Sequence, residues 1–260
     1  MTPLTERSNS DLFRSVSTLL AILAAFVTNI LANLFPFNGL TIGEISNQMF
    51  RDVLIIPANY AFAIWGLIYL SLISFGIYQM LPAQRHHPRL KRMSYLLVLA
   101  SLAQIAWVFL FEYLQFGWSV LAMLIILGSL ILTYIRLQIG KERVPPREKW
   151  FINTPISIYL AWISVATVVN IASTLYAWGW NDPNILVFWT VIMLAVSVAI
   201  AAVATIQRGD TAFNLVFVWA YIAIALRQSE YLVIVSTALG LAIGLILLLG
   251  VPWLKKRRKT

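Results

Sequence analysis

The chain has 260 residues, 60% of them apolar and 11% charged, with a mean hydropathy of +0.82 and a formal net charge of +9. That balance excludes an ordinary water-soluble domain and indicates an integral membrane protein. The absence of cysteine removes disulfides, thiolate metal sites, thioether-linked haem and cysteine nucleophiles in one step.

About 20 apolar residues cross the ~30 Å hydrocarbon layer as a helix, and eight stretches are read as spans: 16–35, 59–80, 93–113, 118–138, 151–174, 184–206, 211–226 and 231–252. The seventh is the shortest. The leading MTPLTERSNSDLFRS has mixed charge and no small-residue cleavage site follows it, so the first span is retained and is not a signal peptide. A connector from Phe37 to Ile56 carries Thr41 and Glu44 at capping-box spacing, which predicts a short interfacial helix or an ordinary amphipathic link. In the second span Phe62, Trp65 and Tyr69 fall at i, i+3, i+7 within PANYAFAIWGLIY. The following basic loop holds the two histidines, His86 and His87. As neighbours they point apart, and the surrounding Arg and Lys repel a metal ion, so they are read as solvated loop residues.

The third span repeats the spacing with Gln104, Trp107 and Phe111, and the fifth gives Tyr159, Trp162, Ala166 and Asn170 within IYLAWISVATVVN. Gly179, Trp180, Asn181, Asp182 and Pro183 then form a turn. In the seventh span Asn214, Phe217 and Tyr221 follow the pattern again. That stripe would wall a second cavity, cover the first or supply an oligomer interface.

Basic residues in short loops accumulate on the cytoplasmic side. With the N-terminus inside, 17 of the 19 Lys and Arg residues lie on one face, from Arg7 and Arg14 through the loops 81–92 and 136–150 and Arg208 to the tail Lys255–Lys259. Only Arg51 and Arg227 lie opposite, which favours an even number of spans with both termini cytoplasmic, in a bacterial inner (plasma) membrane. The net charge is thus a topology signal or a lipid-headgroup contact and does not indicate nucleic-acid binding.

No ionisable side chain lies deep within a span, which lowers the case for an ion-coupled carrier but leaves passive movement of a hydrophobic solute open. The chain has no H-E-x-x-H, no phosphate loop and no G-x-S-x-G elbow, so it is not read as an enzyme. Acid–base chemistry on a lipid or pigment would have to borrow rim groups such as Glu112. The aromatic stripes have two readings. They could enclose an apolar cavity for a planar ligand, or simply pack helices. Trp65, Trp107 and Trp162 lie well inside their spans, whereas Trp118, Trp150, Trp178, Trp180 and Trp253 fit an interfacial belt.

These motifs resemble the TspO/MBR family of tryptophan-rich sensory and translocator proteins. Tyr159, Trp162, Ala166, Thr167 and Asn170 fall on its fifth-helix signature; Phe62, Trp65 and Tyr69 are similar to its second-helix pattern. Trp107 and Phe111 match in the third helix, where Gln104 stands in place of the usual Asn. The family's Trp-x-Pro-Pro element is reduced to Pro57 in LIIPANY, and Ile158 replaces a proline. The resemblance covers roughly residues 16 to 178. It implies an all-α transmembrane bundle with a five-helix part over 1–178, closed by the loop between its first two helices, and leaves 179–260 as a three-helix membrane extension. It also implies a planar hydrophobic ligand, a tetrapyrrole such as porphyrin or haem or a sterol-like molecule, with no obligatory cofactor and no metal. The expected contacts are Phe62, Trp65, Tyr69, Gln104, Trp107, Phe111, Tyr159, Trp162, Ala166 and Asn170. Membrane lipid and a second copy of the chain are the other expected partners. Passive or secondary transport of a hydrophobic solute is the alternative function.

Overall fold

The computed structural model describes residues 4–84, 86–93 and 95–257, with side chains described between Ser10 and Gly250 apart from Asn184. Arg7, Arg85, Trp253 and the basic tail Lys255–Lys259 lie outside the described side chains. Among the described residues the chain is helical throughout, with no strand. Helix α1 covers Leu4–Leu34, α2 Ile42–Gln48, α3 Ile64–Met80, α4 Pro88–Met93, α5 Leu96–Glu112, α6 Phe116–Arg136 and α7 Pro146–Glu148. Helix α8 covers Thr154–Ala177, α9 Pro183–Arg208, α10 Thr211–Arg227 and α11 Leu232–Arg257. A 3-10 turn, Asn59–Ala63, leads into α3, and a π-helical turn, Lys149–Asn153, leads into α8.

Among the described residues six helical stretches are long and apolar enough to cross a membrane: Ser10–Leu34, Asn59–Met80, Phe116–Arg136, Pro146–Ala177, Ile185–Arg208 and Leu232–Gly250. Two shorter apolar helices, α5 and α10, have 17 residues each. At 1.5 Å per residue they reach about 26 Å, the lower end of a span.

The chain divides into two compact units. The first joins residues 1–41 to 65–160. In it α5 packs on both α1 and α6. Gly76 lets α3 approach α1 closely, because a Cβ there would lie 2.7 Å from Leu19 Cδ1. The α5–α6 turn is tight: the Leu114 N–H bonds the Phe111 carbonyl at 3.0 Å and the Gln115 N–H bonds the Leu110 carbonyl at 2.8 Å, with Leu114 at φ 58°. That pairing is the Schellman closure of a helix end. Gln138 closes α6 in the same way at φ 51°. Glu112 is fully buried, and its carboxylate accepts the Phe37 N–H at 2.9 Å while its carbonyl accepts from Asn38 Nδ2 at 3.1 Å, which fixes the chain as it leaves α1.

One end of this unit is stapled by ion pairs. Arg89 donates to Glu148 (2.6 Å), the Leu137 carbonyl (2.7 Å) and Asn153 Oδ1 (3.1 Å), and Arg92 donates to Glu142 at 2.7 Å. Asp11 pairs with Lys91 at 2.6 Å and with His86 at 2.8 Å, and His87 lies 3.4 Å from Glu148. Both histidines were read as solvated loop residues; His86 is exposed and His87 half-buried, and each also meets a carboxylate from a segment far away in sequence, which loop composition does not reveal.

The second unit joins residues 42–64 to 161–260. Helix α8 runs unbroken, and its turns from Ala161 onward belong here. It ends on Gly179 at φ +93°, where the Gly179 N–H bonds the Tyr176 carbonyl and the Trp180 N–H bonds the Leu175 carbonyl, each at 3.0 Å, again a Schellman closure. The Asp210 side chain caps α10 by accepting the Phe213 N–H at 3.1 Å. Helices α9, α10 and α11 pack on one another. Asn214, Phe217 and Tyr221 are their shared core: Asn214 Nδ2 donates to Thr205 Oγ1 of α9 (2.8 Å) and to the Leu245 carbonyl of α11 (3.3 Å), and the Tyr221 hydroxyl lies 2.8 Å from Ser197 Oγ of α9. This third polar–aromatic stripe is therefore interhelical packing with polar ties.

Candidate functional site

In the first unit α3 presents Trp65 stacked on Tyr69, with ring centroids 5.7 Å apart and planes 27° from parallel. Tyr159 meets Trp65 edge-on at 6.2 Å, and Phe26 lies against Tyr69 at 5.1 Å. The Tyr69 hydroxyl donates to the Ala25 carbonyl at 3.2 Å, which anchors the ring on α1. Three predicted residues are thus brought together, joined by Phe26, which the spacing argument did not single out.

On α5, Trp107 stacks on Phe111 at 5.2 Å, and Phe116 closes that pair edge-on at 5.4 Å. One turn earlier on the same face sits Gln104, only 1% exposed. Neither its Oε1 nor its Nε2 has a hydrogen-bond partner among the described residues. An unpartnered buried amide costs about 1–3 kcal/mol, so this face carries polar capacity that the protein itself does not use.

In the second unit Phe62 meets Trp162 edge-on, with centroids 6.1 Å apart and planes at 89°. Phe62 lies in the 3-10 turn before α3 begins at Ile64. Trp162 is buried, and its indole N–H finds no acceptor among the described residues. Further along α8, Ala166 is half-buried, the Thr167 hydroxyl donates to the Ile163 carbonyl (2.7 Å), and the carbonyl of buried Asn170 accepts from Thr174 (2.8 Å). The predicted contacts therefore distribute with Trp65, Tyr69, Gln104, Trp107, Phe111 and Tyr159 in the first unit and Phe62, Trp162, Ala166 and Asn170 in the second.

A family profile described as TSPO-like protein matches residues 15–251. The chain belongs to the TSPO-like protein family. The match continues through α9, α10 and most of α11, so the C-terminal extension lies within the matched region. No curated protein and no solved structure matches the chain. For a TSPO-like protein, the tryptophans divide as their positions suggest. Trp107 and Trp162 are buried and Trp65 is half-buried, whereas Trp118, Trp150, Trp178 and Trp180 are exposed near helix ends. Among the described residues no group of three or more His, Asp or Glu is placed to hold a metal ion.

Proposed function

We propose that this TSPO-like membrane protein binds a planar hydrophobic ligand, a tetrapyrrole or sterol-like molecule, at an aromatic-lined site in which Gln104 orients a polar edge. The observation that carries the reading is the Gln104 amide, fully buried beside the stacked Trp107 and Phe111 with neither polar atom paired among the described residues. Flat aromatic faces offer large contact area to a planar ligand, and one unpaired amide offers a donor and an acceptor for orientation. The Trp65–Tyr69–Tyr159 cluster in the same unit, and Phe62, Trp162, Ala166 and Asn170 in the second, have the same apolar-with-one-amide character. In this reading the protein binds and senses its ligand and performs no chemistry on it, and haem or protoporphyrin would be cargo or signal.

The chain is read as eight spans with both termini cytoplasmic in a bacterial plasma membrane; the one-sided placement of 17 of its 19 basic residues supports this. The test is a thermal shift in detergent with protoporphyrin, run on the wild type and on Gln104→Leu. Ligand at a hundredfold excess over its Kd stabilises the folded state by about 2.7 kcal/mol. A clear upward shift in the wild type, reduced in Gln104→Leu, is expected. Equal shifts in both would remove Gln104 from the site.

A further inference from the structure

Three residues spaced four apart on α10, Trp219, Ala223 and Arg227, share one helix face, and all three grip the 42–64 segment. The Arg227 guanidinium donates through Nη1 to Asn47 Oδ1 (2.9 Å) and the Pro57 carbonyl (3.4 Å), and through Nη2 to the Ser46 carbonyl (3.3 Å). One helical turn back, the Ala223 carbonyl accepts the Ala58 N–H at 3.0 Å. A further turn back, Trp219 Nε1 donates to the Ala61 carbonyl at 3.2 Å, and Tyr60 packs edge-on to the Trp219 ring at 5.0 Å.

The gripped segment needs such partners. Between α2 and the 3-10 turn its backbone is irregular, yet Phe50, Val53, Leu54, Ile55 and Ile56 are buried. Buried irregular backbone must find hydrogen bonds outside itself. Internal turns supply some, from the Val53 N–H to the Phe50 carbonyl and from the Ile56 N–H to the Val53 carbonyl, each at 3.1 Å. The carbonyls of Ser46 and Pro57 and the N–H of Ala58 are met by α10. Ser46 lies in the last turn of α2, where carbonyls have no helical donor and a cation is favoured. The segment is also held by the Tyr176 hydroxyl on Asp52 at 3.1 Å and an edge-on contact of Phe50 with Tyr176. Arg227 is also one of only two cations on the face opposite the basic loops. Its planar fork reaching three oxygens accounts for that exception.

We propose that the C-terminal extension is a latch: the Trp219–Ala223–Arg227 face of α10 holds the 42–64 segment in place, and loss of the Arg227 contacts releases it. The inference does not depend on what the protein binds.

Arg51 is the only Lys or Arg between Arg14 and Arg85 and is exposed, so tryptic cleavage there reports on this segment alone. Limited proteolysis of the full chain in detergent, read by mass spectrometry, should show cleavage at Arg51 about tenfold faster in Arg227→Ala, since a hydrogen-bonded charge is lost from the closed state. Arg227→Lys, which keeps the charge and loses the fork, should fall between. Cleavage in the 136–149 loop and hydrogen exchange in α9 and α11 should stay at wild-type rates. Unchanged cleavage at Arg51, or equal acceleration at every tryptic site, would overturn the latch. If Arg227→Ala fails to fold, Asn47→Ala and Trp219→Phe each remove one bond from opposite sides of the contact; both must accelerate cleavage at Arg51, and failure of either refutes the proposal.

Discussion

Replacing Arg89 by methionine should cost about 3–4 kcal/mol of stability. Arg89 is 6% exposed and its partner Glu148 is 9% exposed. The substitution removes the donor from Glu148 Oε2, the Leu137 carbonyl and Asn153 Oδ1 together, and leaves a buried carboxylate with only His87, at 3.4 Å, to answer it. Breaking a buried ion pair from one side costs about 3–5 kcal/mol; the residual contact with His87 favours the lower part of that range. Three kcal/mol lowers the folded-to-unfolded ratio about 150-fold. Equilibrium unfolding in mixed micelles, with SDS as the denaturant and helical circular dichroism as the signal, measures it. A double-mutant cycle with Glu148→Gln sharpens the test. The single Arg89→Met variant strands a charge, and the double variant strands none, so the double should recover about 1–2 kcal/mol relative to the single. A loss below about 1 kcal/mol for Arg89→Met, or strict additivity in the cycle, would show an exposed-type pair that contributes little and refute the staple.

Other consequences follow from individual residues. Gly179→Ala should destabilise by about 1–2 kcal/mol through backbone strain alone, because φ there is +93° and a Cβ would meet nothing within 4 Å; an unchanged unfolding midpoint would contradict the assigned closure of α8. The Arg92 guanidinium, hydrogen-bonded to Glu142, holds that carboxyl below its ordinary value of 4.5. A depressed carboxyl contributes stability above its unfolded pKa and loses it as pH falls through the lower folded value. Acidification through and below pH 4.5 should therefore weaken the wild type more than Glu142→Gln, and parallel acid-unfolding curves would sink the idea. Gln104→Leu should raise the ligand-free unfolding free energy by about 1–2 kcal/mol, since it removes an unpaired buried amide at nearly constant volume; a loss of stability would mean the amide is satisfied.

Hydropathy placed the helices well because a bilayer requires nearly every residue of a span to be apolar, and that demand is local. The spacing argument succeeded where both residues lie within one helix, as for Trp65 with Tyr69 and Trp107 with Phe111. It could not distinguish the Asn214–Phe217–Tyr221 stripe, whose Asn214 and Tyr221 bond to α9 and α11, from the face carrying Gln104, whose amide has no partner among the described residues, because the distinction lies in partners and not in spacing. The Arg227 contacts were out of reach for a related reason: they join residues 170 to 181 positions apart and mostly end on backbone carbonyls, which carry no sequence signal. The charge pattern held a trace of them, in one of the two arginines assigned to the side where cations are otherwise scarce.

The central claim is that a planar apolar molecule lies against α5 with Gln104 on its polar edge. Tryptophan-fluorescence titration of the purified protein with protoporphyrin tests it directly, with Gln104→Leu and Trp107→Phe in parallel. Saturable quenching by the wild type, an affinity about tenfold weaker in Gln104→Leu, equivalent to about 1.4 kcal/mol, and a smaller quenching amplitude in Trp107→Phe are predicted. Non-saturating quenching of equal slope in all three proteins would show partition into detergent and contradict the claim.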